Sequence, residues 1–201
     1  MIRLQNEYDQ INFIGSWYIK NDKLFDDLIS YFEKNSHLQK QGMVSGGSVN
    51  LDIKQTTDIT IEPINLENSH YSIFNIYLSE LFKCFNDYKE QWPFIKEIFK
   101  SVDIPSFNLQ RYLPGDHFSK IHTERSSRDN MHRIFAWMTY LNDVAEDAGG
   151  CTNFFHYDLK IQPKKGKTLI WPAEWTHAHS AEKLKKDKKY IITGWMFFPF
   201  D

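Results

Sequence analysis

Two short segments of the chain place a carboxylate two residues after a histidine, namely His122-Thr-Glu124 and His156-Tyr-Asp158. Imidazole nitrogens and carboxylate oxygens are suitable ligands for iron(II), and two histidines with one carboxylate on one face leave three coordination positions open. With eight histidines and 26 acidic residues in 201, about one such triplet arises by chance at this composition. A triplet alone therefore does not identify a metal site, and a second histidine at a suitable spacing must decide.

The spacing to a second histidine separates the two triplets. In a barrel where the first histidine and the carboxylate end one strand, the second histidine follows after four intervening strands, which takes roughly 40 to 60 residues. His179 lies 57 residues after His122, with about four strand-like runs between them, whereas His156 leaves room for one or two. We therefore predict that His122 and Glu124 are ligands, and that His156 and Asp158 lie in a turn or at the surface.

The choice between His177 and His179 depends on a basic residue that follows them. Residues two apart on a strand share a face, so both histidines are expected to point inward. A dicarboxylate cosubstrate such as 2-oxoglutarate requires a cation on the next strand, and Lys189 lies ten residues after His179. We predict His179 as the ligand and Lys189 as the anchor, with His177 behind the site or at its entrance. The alternative for either histidine is a hydrogen-bonded residue beside the neighbouring tryptophans.

The first hundred residues carry the helical patterns that must support such a site. Asn21 or Asp22 is a suitable N-cap for a segment in which apolar residues recur at three- and four-residue steps. These apolar positions are Leu24, Phe25, Leu28, Ile29 and Phe32. A second, longer segment repeats the pattern at Phe74, Tyr77, Leu78, Leu81, Phe82 and Phe85. Both segments predict amphipathic helices, and the Gly-, Ser- and Thr-rich stretch 42–58 between them predicts a loop with one strand.

After Pro105 the pattern changes to short β-prone runs separated by turn residues. These runs are 107–113, 133–141, 151–155, 168–171 and 189–198. Many short strands at this spacing indicate a sandwich or barrel, which the preceding helices are expected to cover. We predict a mainly β fold with flanking α-helices, in which a double-stranded β-helix (a cupin-like jelly roll) is backed by the N-terminal helices. We expect one domain, 1–201, with helical support and outer strands in 1–104 and the catalytic core in 105–201.

Composition and charge argue against several other classes of protein. A net charge of −2 gives no general attraction for nucleic acid, and the basic run 183–189 is expected to be a solvated loop. The two cysteines, Cys84 and Cys151, lie in no metal-binding spacing. The segment MIRLQNEYDQ lacks the apolar core of a signal peptide, and no apolar run approaches the roughly 18 residues of a membrane span. We expect a soluble, cytoplasmic protein without nucleic-acid or membrane partners.

Seven sequence blocks follow one another in the second half of the chain. They are 111–118, His122-Thr-Glu124, 138–142, 149–154, 163–172, His179, and Lys189 with Trp195. In this order they resemble the RYxPGxxF, HxD, YLN, GGxTxF, PxxGxxxxFP and H…K/R…W motifs of the prolyl 4-hydroxylase-like branch of the iron(II)/2-oxoglutarate-dependent dioxygenases. The resemblance is dense from about 107 to 198 and weak before that. The sequence of the last blocks is most similar to that of phage and bacterial members of the family.

The resemblance implies what the site binds. It implies iron(II) held by His122, Glu124 and His179, with 2-oxoglutarate anchored by Lys189, and a reductant such as ascorbate that restores the iron. It also implies a 2-oxoglutarate pocket lined by residues that are otherwise ordinary strand or core side chains: Tyr112, Tyr140, Thr152 and Trp195. Glu124 departs from the family pattern, which has aspartate in most members, and its side chain is one methylene longer.

The function that we expect is hydroxylation of a C–H bond with release of succinate and CO2. The favoured substrate is a prolyl or other peptidyl residue, contacted by the loops 125–132 and 181–188, and Lys188 is the first alternative to Lys189 as anchor. Two other functions stay open: a non-catalytic cupin-like barrel that binds a metal or small ligand, and a hydroxylase of a free amino acid or small metabolite. An open triad with a suitably spaced cation favours catalysis, because structural metal sites are usually closed. The sequence gives no indication of the oligomeric state.

Overall fold

The computed structural model describes residues 1–3, 11–44 and 47–199, in which the β-strands form two sheets. The strands of the first half are β1 (Ile2–Arg3), β2 (Gly15–Tyr18), β3 (Lys40–Gln41), β4 (Lys54–Gln55) and β5 (Thr57–Ile61). Those of the second half are β6 (Phe107–Tyr112), β7 (His117–His122), β8 (Arg133–Tyr140), β9 (Thr152–Phe154), β10 (Leu159–Ile161), β11 (Lys167–Pro172), β12 (His179–Ala181) and β13 (Lys189–Phe197). The α-helices are α1 (Asp22–Lys34), α2 (Ser72–Gln91) and α3 (Pro93–Ile98).

Helix α1 begins where the sequence pattern predicts it. Asn21 is the N-cap, and its side-chain oxygen accepts a hydrogen bond from the backbone N–H of Leu24 at 3.2 Å. This contact satisfies one of the amide groups that the first helical turn leaves without a partner. The buried face consists of predicted apolar positions, namely Leu24, Phe25, Leu28 and Phe32.

Helix α2 lies against the larger sheet through aromatic side chains. The hydroxyl oxygen of Tyr77 is 2.8 Å from Oγ1 of Thr139 in β8, and the rings of Phe85 and Phe135 have centroids 5.7 Å apart. Burial of one large apolar side chain contributes about 1.5–3 kcal/mol to stability. These contacts therefore hold the helix firmly on the sheet, as the predicted amphipathic pattern requires.

The two sheets are antiparallel and face each other across a buried layer. The larger sheet has the order β1-β2-β11-β8-β13-β6-β5-β3, and the smaller has the order β10-β9-β12-β7-β4. Side chains between the sheets include Tyr112, Met138, Tyr140, Phe154 and Trp171, while a second apolar layer joins the larger sheet to the helices. The prediction of a mainly β fold with a double-stranded β-helix core and flanking helices is confirmed.

The strand register brings distant parts of the chain together. In the smaller sheet, His179 of β12 is paired with His122 of β7, and between these two residues the chain forms the four strands β8 to β11. In the larger sheet, Lys189 of β13 is paired with Tyr112 of β6. The topology therefore contains the four intervening strands that the 57-residue interval predicts.

Some local predictions need correction. The stretch 42–58 contains β4 and the first residues of β5, so it is more ordered than a loop with one strand. The three-residue strand β10 was not predicted, since three residues are too few to show an alternating pattern. The prediction that His177 and His179 share one strand is wrong, because His177 ends a 3₁₀ turn and His179 begins β12.

The structure describes only part of the N-terminal segment, for which neither a signal peptide nor a membrane span was predicted. Residues 4–10 of the N-terminal segment lie outside the described residues. In the ranges 1–3, 11–44 and 47–199, none of the helices combines the length and the apolar character needed to cross a lipid bilayer.

Candidate metal centre and cosubstrate pocket

The smaller sheet positions the two predicted histidine ligands on adjacent strands. His122 is the last residue of β7 and His179 is the first of β12, and their ring centroids are 4.4 Å apart. Glu124 follows two residues after β7, at a turn. The intervening residue Thr123 fixes this turn, because its Oγ1 donates a hydrogen bond to the carbonyl oxygen of Ala173 at 3.0 Å.

Both histidines present Nε2 to the same carboxylate oxygen. Oε1 of Glu124 is 3.3 Å from Nε2 of His179 and 3.8 Å from Nε2 of His122. The other ring nitrogens face backbone carbonyls: Nδ1 of His122 is 2.9 Å from the oxygen of Lys120, and Nδ1 of His179 is 2.9 Å from that of His177. A carbonyl accepts but does not donate, so Nδ1 carries a proton in both rings, and Nε2 is the nitrogen that faces the carboxylate.

The three donor atoms fit one face of a metal ion. One potential ligand atom from each of His122, Glu124 and His179 lies within 4.8 Å of the others. Ligand atoms about 2.1 Å from a metal and at right angles are about 3 Å apart, so small side-chain movements suffice to close the triad. Two imidazoles with one carboxylate are also the donor types that suit iron(II).

The electrostatics of the cluster keep His122 and Glu124 in the protonation states that a metal requires. Burial, reinforced by the neighbouring His179, lowers the pKa of His122 to about 4, so its imidazole is neutral at pH 7. Burial alone raises the pKa of Glu124, but the contacts with His179, His122 and Trp195 outweigh it and give a pKa of about 2. The carboxylate is therefore ionised across the physiological pH range.

Glu124 is held from the other side by a tryptophan and an arginine. Nε1 of Trp195 donates a hydrogen bond to Oε2 of Glu124 at 2.7 Å. Nη1 of Arg133 donates to the backbone oxygen of Glu124 at 3.0 Å and lies 3.6 Å from Oε2. Oε2 is thus engaged by protein donors, while Oε1 faces the histidines. The resemblance implied that Trp195 lines the cosubstrate pocket, and in the structure its indole N–H contacts the carboxylate of Glu124, the predicted metal ligand.

Lys189 is a buried cation between the two sheets. Its side chain is 1% exposed, and Nζ lies 3.9 Å from the centre of the Tyr112 ring and donates to the oxygen of Gly150 at 2.9 Å. Gly150 adopts a φ of 75°, which favours glycine. Burial lowers the pKa of Lys189 to about 7. Within the described part of the chain no carboxylate forms an ion pair with Nζ, so a ligand carboxylate would supply the missing counter-charge.

Three other predicted pocket residues, Tyr112, Tyr140 and Thr152, lie on strands β6, β8 and β9. The hydroxyl of Tyr140 donates to Oγ1 of Thr152 at 2.7 Å, and that of Tyr112 donates to Oε1 of Gln110 at 3.3 Å. Tyr112, Tyr140 and Thr152 are all buried. Lys188, the alternative anchor, is exposed. Of these residues, the structure places Tyr112 in contact with the buried Lys189, whereas Lys188 lies at the surface.

The rejected triplet and the third histidine lie elsewhere. His156 and Asp158 are exposed in and just after a 3₁₀ turn, as predicted. His177 is buried, and its Nε2 is 2.8 Å from the backbone oxygen of Asn12, while its Nδ1 is 2.9 Å from Oγ1 of Thr176. Both ring nitrogens of His177 are therefore occupied. Its own backbone oxygen faces Nδ1 of His179, so its contribution to the site is to orient that ring.

Sequence reasoning missed the contributions of Arg133 and of Lys54 with Phe118. Phe118 stacks on His122 with ring centroids 3.8 Å apart. Lys54, which is paired with Phe118 across β4 and β7, has its Nζ 5.7 Å from the centroid of the Phe118 ring. Lys54 also donates to Asp58 at 2.8 Å. The spacing of Phe118 four residues before His122 was a usable signal, but Lys54 comes from a distant segment without a recognisable pattern.

The two loops expected to contact substrate are both tied to the fold. In 125–132, Arg125 forms an ion pair with Glu174 at 2.6 Å, and the side chain of Asn130 accepts from two backbone amides of the loop. In 181–188, the backbone amide of Leu184 donates to Asp116 at 2.9 Å, and Leu184 is fully buried. These loops therefore have defined conformations beside the site.

Comparisons with known proteins agree with this geometry. The family profile of the 2OG-Fe(II) oxygenase superfamily matches residues 107–197. The human procollagen-lysine,2-oxoglutarate 5-dioxygenase 2 is 24% identical over 181 residues, which cover 87% of this chain and 22% of that protein. The chain thus spans about a fifth of the length of the curated relatives that it matches.

Solved structures share the fold at low sequence identity. A prolyl 4-hydroxylase from Pseudomonas putida superposes with a TM-score of 0.70 at 14% identity, covering 94% of both chains. The viral collagen prolyl hydroxylase of Paramecium Bursaria Chlorella virus-1, in its 2OG complex, gives 0.67 at 16% identity, covering 94% of this chain and 97% of that one. A Trichoplax adhaerens prolyl hydroxylase in complex with a hypoxia inducible factor peptide fragment gives 0.72 at 14% identity, covering 93% and 84%. Residues 107–197 are thus similar to the 2OG-Fe(II) oxygenase superfamily, whose name mentions iron(II) and 2-oxoglutarate, and the solved structures show that the fold is shared.

Proposed function

We propose that this protein is an iron(II)- and 2-oxoglutarate-dependent dioxygenase that hydroxylates a prolyl or other peptidyl residue and releases succinate and CO2. The observation that carries the proposal is the convergence of Nε2 of His122, Nε2 of His179 and Oε1 of Glu124 on one point. A buried lysine that has no carboxylate partner among the described residues lies in the adjoining layer between the sheets and supports the proposal further.

Each residue of the site has a separate task in this proposal. His122, Glu124 and His179 hold iron(II), which together with 2-oxoglutarate and dioxygen supplies the oxidising power for attack on a C–H bond. Lys189 binds the carboxylate of 2-oxoglutarate that is remote from the metal. The aromatic and threonine side chains around Lys189 exclude water, so that this ion pair forms in a dry pocket where it is strong.

The substrate class rests on the relatives and on the fold. The names of the similar proteins describe hydroxylation of prolyl and lysyl residues, and the Trichoplax structure contains a bound peptide fragment. We therefore propose a peptide substrate, with the loops 125–132 and 181–188 as the contact region. A reductant such as ascorbate is expected to sustain repeated turnover.

Two measurements test the proposal in sequence. Anaerobic addition of iron(II) and 2-oxoglutarate to the protein should produce a weak visible charge-transfer band, which a barrel without this chelate would not show. Succinate release is then measured with and without ascorbate on proline- and lysine-containing peptides and on free amino acids. An increase in succinate release with a peptide supports the proposal. An increase with free amino acids alone would mean that the substrate is a small metabolite and not a peptide. Absence of the band and of succinate release would refute the enzyme.

A further inference from the structure

The carboxylate ligand proposed here is a glutamate, and two residues hold the oxygen that faces away from the histidines. Oε2 of Glu124 accepts from Nε1 of Trp195 at 2.7 Å, and the guanidinium carbon of Arg133 lies 3.7 Å from the centre of the Trp195 ring. Arg133 also binds the backbone oxygen of Glu124 at 3.0 Å. Arginine, indole and carboxylate thus form a continuous stack from the start of β8 to the metal-binding turn.

This stack addresses a difficulty that the longer side chain creates. Glutamate has one more rotatable bond than aspartate, so its carboxylate reaches further and can turn both oxygens towards a metal. A second oxygen on the metal would occupy one of the three positions that a facial triad leaves open. A donor fixed on Oε2 prevents this, because it directs that oxygen away and leaves Oε1 alone toward the two histidines.

Arg133 and Trp195, which together form a clamp on Glu124, both lie on strands of the larger sheet. Trp195 lies in β13 opposite Ala136 of β8, and Arg133 begins β8 opposite Phe197. A planar guanidinium packs flat on an indole and at the same time donates to oxygen, which a lysine ammonium does not do. The contact with the backbone of Glu124 further restricts the turn that carries the ligand.

Resting on the proposed function, we infer that Arg133 and Trp195 are positioning residues that hold Glu124 as a single-oxygen ligand. Outer contacts of this kind typically change metal affinity 10- to 100-fold when removed. The inference concerns the ligand geometry, and metal binding measures it without any turnover.

The first test is a double-mutant comparison with cobalt(II) as a redox-stable probe. W195F keeps an aromatic ring under Arg133 but removes the N–H donor to Oε2. We expect W195F to weaken cobalt(II) binding about 10- to 100-fold and to shift the visible d–d bands, as the freed carboxylate changes its coordination. In the E124D background the shorter carboxylate does not reach the indole while it binds the metal, so W195F should change the affinity less than about twofold.

A matched arginine separates positioning from general stability. Arg111 also packs on an aromatic ring, that of Phe32 at 5.3 Å, and pairs with Glu33 at 3.0 Å, but it does so beside α1. We expect R133M to weaken cobalt(II) binding as W195F does, with R133K restoring it only in part. R111M should lower the melting temperature without changing the affinity.

The outcomes decide between the two claims. Unchanged cobalt(II) binding and d–d bands in W195F and R133M would overturn the inference alone, and so would equal losses in the Glu124 and E124D backgrounds or an equal loss in R111M. Absence of cobalt(II) binding by the wild-type protein would remove the proposed metal site, and the inference with it. If E124D binds no cobalt(II), the site requires the longer ligand, and the comparison of R133M with R111M decides the role of the clamp.

Discussion

At the scale of single residues, the backbone determines which nitrogen of each candidate histidine ligand is free. His122 and His179 each direct Nδ1 to the carbonyl oxygen two residues earlier, which fixes Nε2 as the acceptor and sets the ring orientation. His177 uses Nε2 for the backbone of Asn12 instead. His122 and His179 therefore have a ring nitrogen available for a metal and His177 does not, although all three side chains are the same imidazole.

The first prediction follows from this difference. His122→Ala and His179→Ala should each abolish iron(II) binding and succinate formation while leaving the fold intact, because each removes one of only three donors. Loss of binding is measured by the anaerobic charge-transfer band and the fold by circular dichroism. His156→Ala, which changes an exposed histidine near the same sheet, is the matched control and should retain both properties. Normal turnover in either ligand variant would refute the assignment.

The second prediction concerns the pH dependence of 2-oxoglutarate binding. Burial lowers the pKa of Lys189 to about 7, but a bound carboxylate requires the charged ammonium. Above about pH 7 the free protein must therefore take up a proton on binding, and the apparent affinity should fall by up to about tenfold per pH unit. Below about pH 6 the lysine is already charged, so this dependence disappears.

Isothermal titration of the metal-loaded protein between about pH 6 and 9, in buffers of different ionisation enthalpy, measures both the affinity and the proton uptake. Lys189→Met should weaken binding about 10- to 100-fold at pH 6, since it removes one charge-assisted contact, and should show no proton uptake from this position. A wild-type affinity that stays constant from pH 6 to 9 would show that Lys189 is not the anchor.

The limits of sequence reasoning at this scale have a physical cause. The proximity of His122, Glu124 and His179 could be predicted because strand topology imposes a spacing along the chain, which an interval of 57 residues reveals. The contacts of Glu124 with Arg133 and Trp195 could not, because they depend on where a turn places a carboxylate relative to two other strands. Tertiary packing alone determines which carboxylate oxygen of Glu124 faces away from the histidines.

At the scale of elements, the N-terminal half does more than support the barrel. Strand β4 adds to the smaller sheet beside β7, and β5 adds to the larger sheet beside β6. Together they carry Lys54 and Asp58, which form a buried ion pair at 2.8 Å. The long helices were predictable because their apolar period extends over many residues, whereas strand β4 has two residues and no period to detect.

The third prediction tests this buried pair. Asp58 also accepts from Thr56 at 2.7 Å and from Gln110 at 2.9 Å, so Asp58→Asn removes the charge that compensates Lys54 in a satisfied network. We expect a loss of about 3–5 kcal/mol in the free energy of unfolding, because an uncompensated buried ammonium remains. Asp27→Asn, which breaks the exposed pair with Lys23 on α1, should cost less than about 1 kcal/mol.

Urea denaturation of both variants measures the difference. If Asp58→Asn and Asp27→Asn destabilise the protein equally, the network does not hold β4 and β5 on their sheets. A loss confined to Asp58→Asn would also predict weaker stacking of Phe118 on His122, since Lys54 lies over that ring. Strands β4 and β5 would then help to hold the residues that surround the proposed metal site.

At the scale of the whole molecule, the two buried layers have different roles, one in stability and one in ligand binding. The layer between the larger sheet and the helices contains mainly apolar and aromatic side chains and stabilises the fold. The layer between the two sheets includes Tyr112 and Tyr140 and adjoins the buried Lys189. Buried polar groups without a full set of partners lower stability, so the second layer is the one in which binding capacity and stability conflict.

The fourth prediction measures this conflict through Lys189. Its pKa in the folded protein is about 7, below the ordinary value of 10.5. Between these two values the unfolded chain binds more protons than the folded protein, so this residue makes the free energy of unfolding rise with pH. Below about pH 7 the penalty for the buried charge is complete, and it disappears as the pH approaches 10.5.

Lys189→Met keeps a long, flexible side chain but removes the charge. In the absence of 2-oxoglutarate this variant should therefore be more stable than the wild type at pH 6, by on the order of a few kcal/mol, and the two should converge toward pH 10. Urea unfolding at several pH values tests this, because the other titrating groups are common to both proteins and cancel in the difference. Saturating 2-oxoglutarate should reduce this difference at pH 6 by about 1.4–2.7 kcal/mol, the equivalent of the 10- to 100-fold tighter binding expected of the wild type. A ligand-free variant that is less stable than the wild type at pH 6 would mean that Lys189 already has its counter-charge within the protein, and the pocket would then have no electrostatic need for a dicarboxylate.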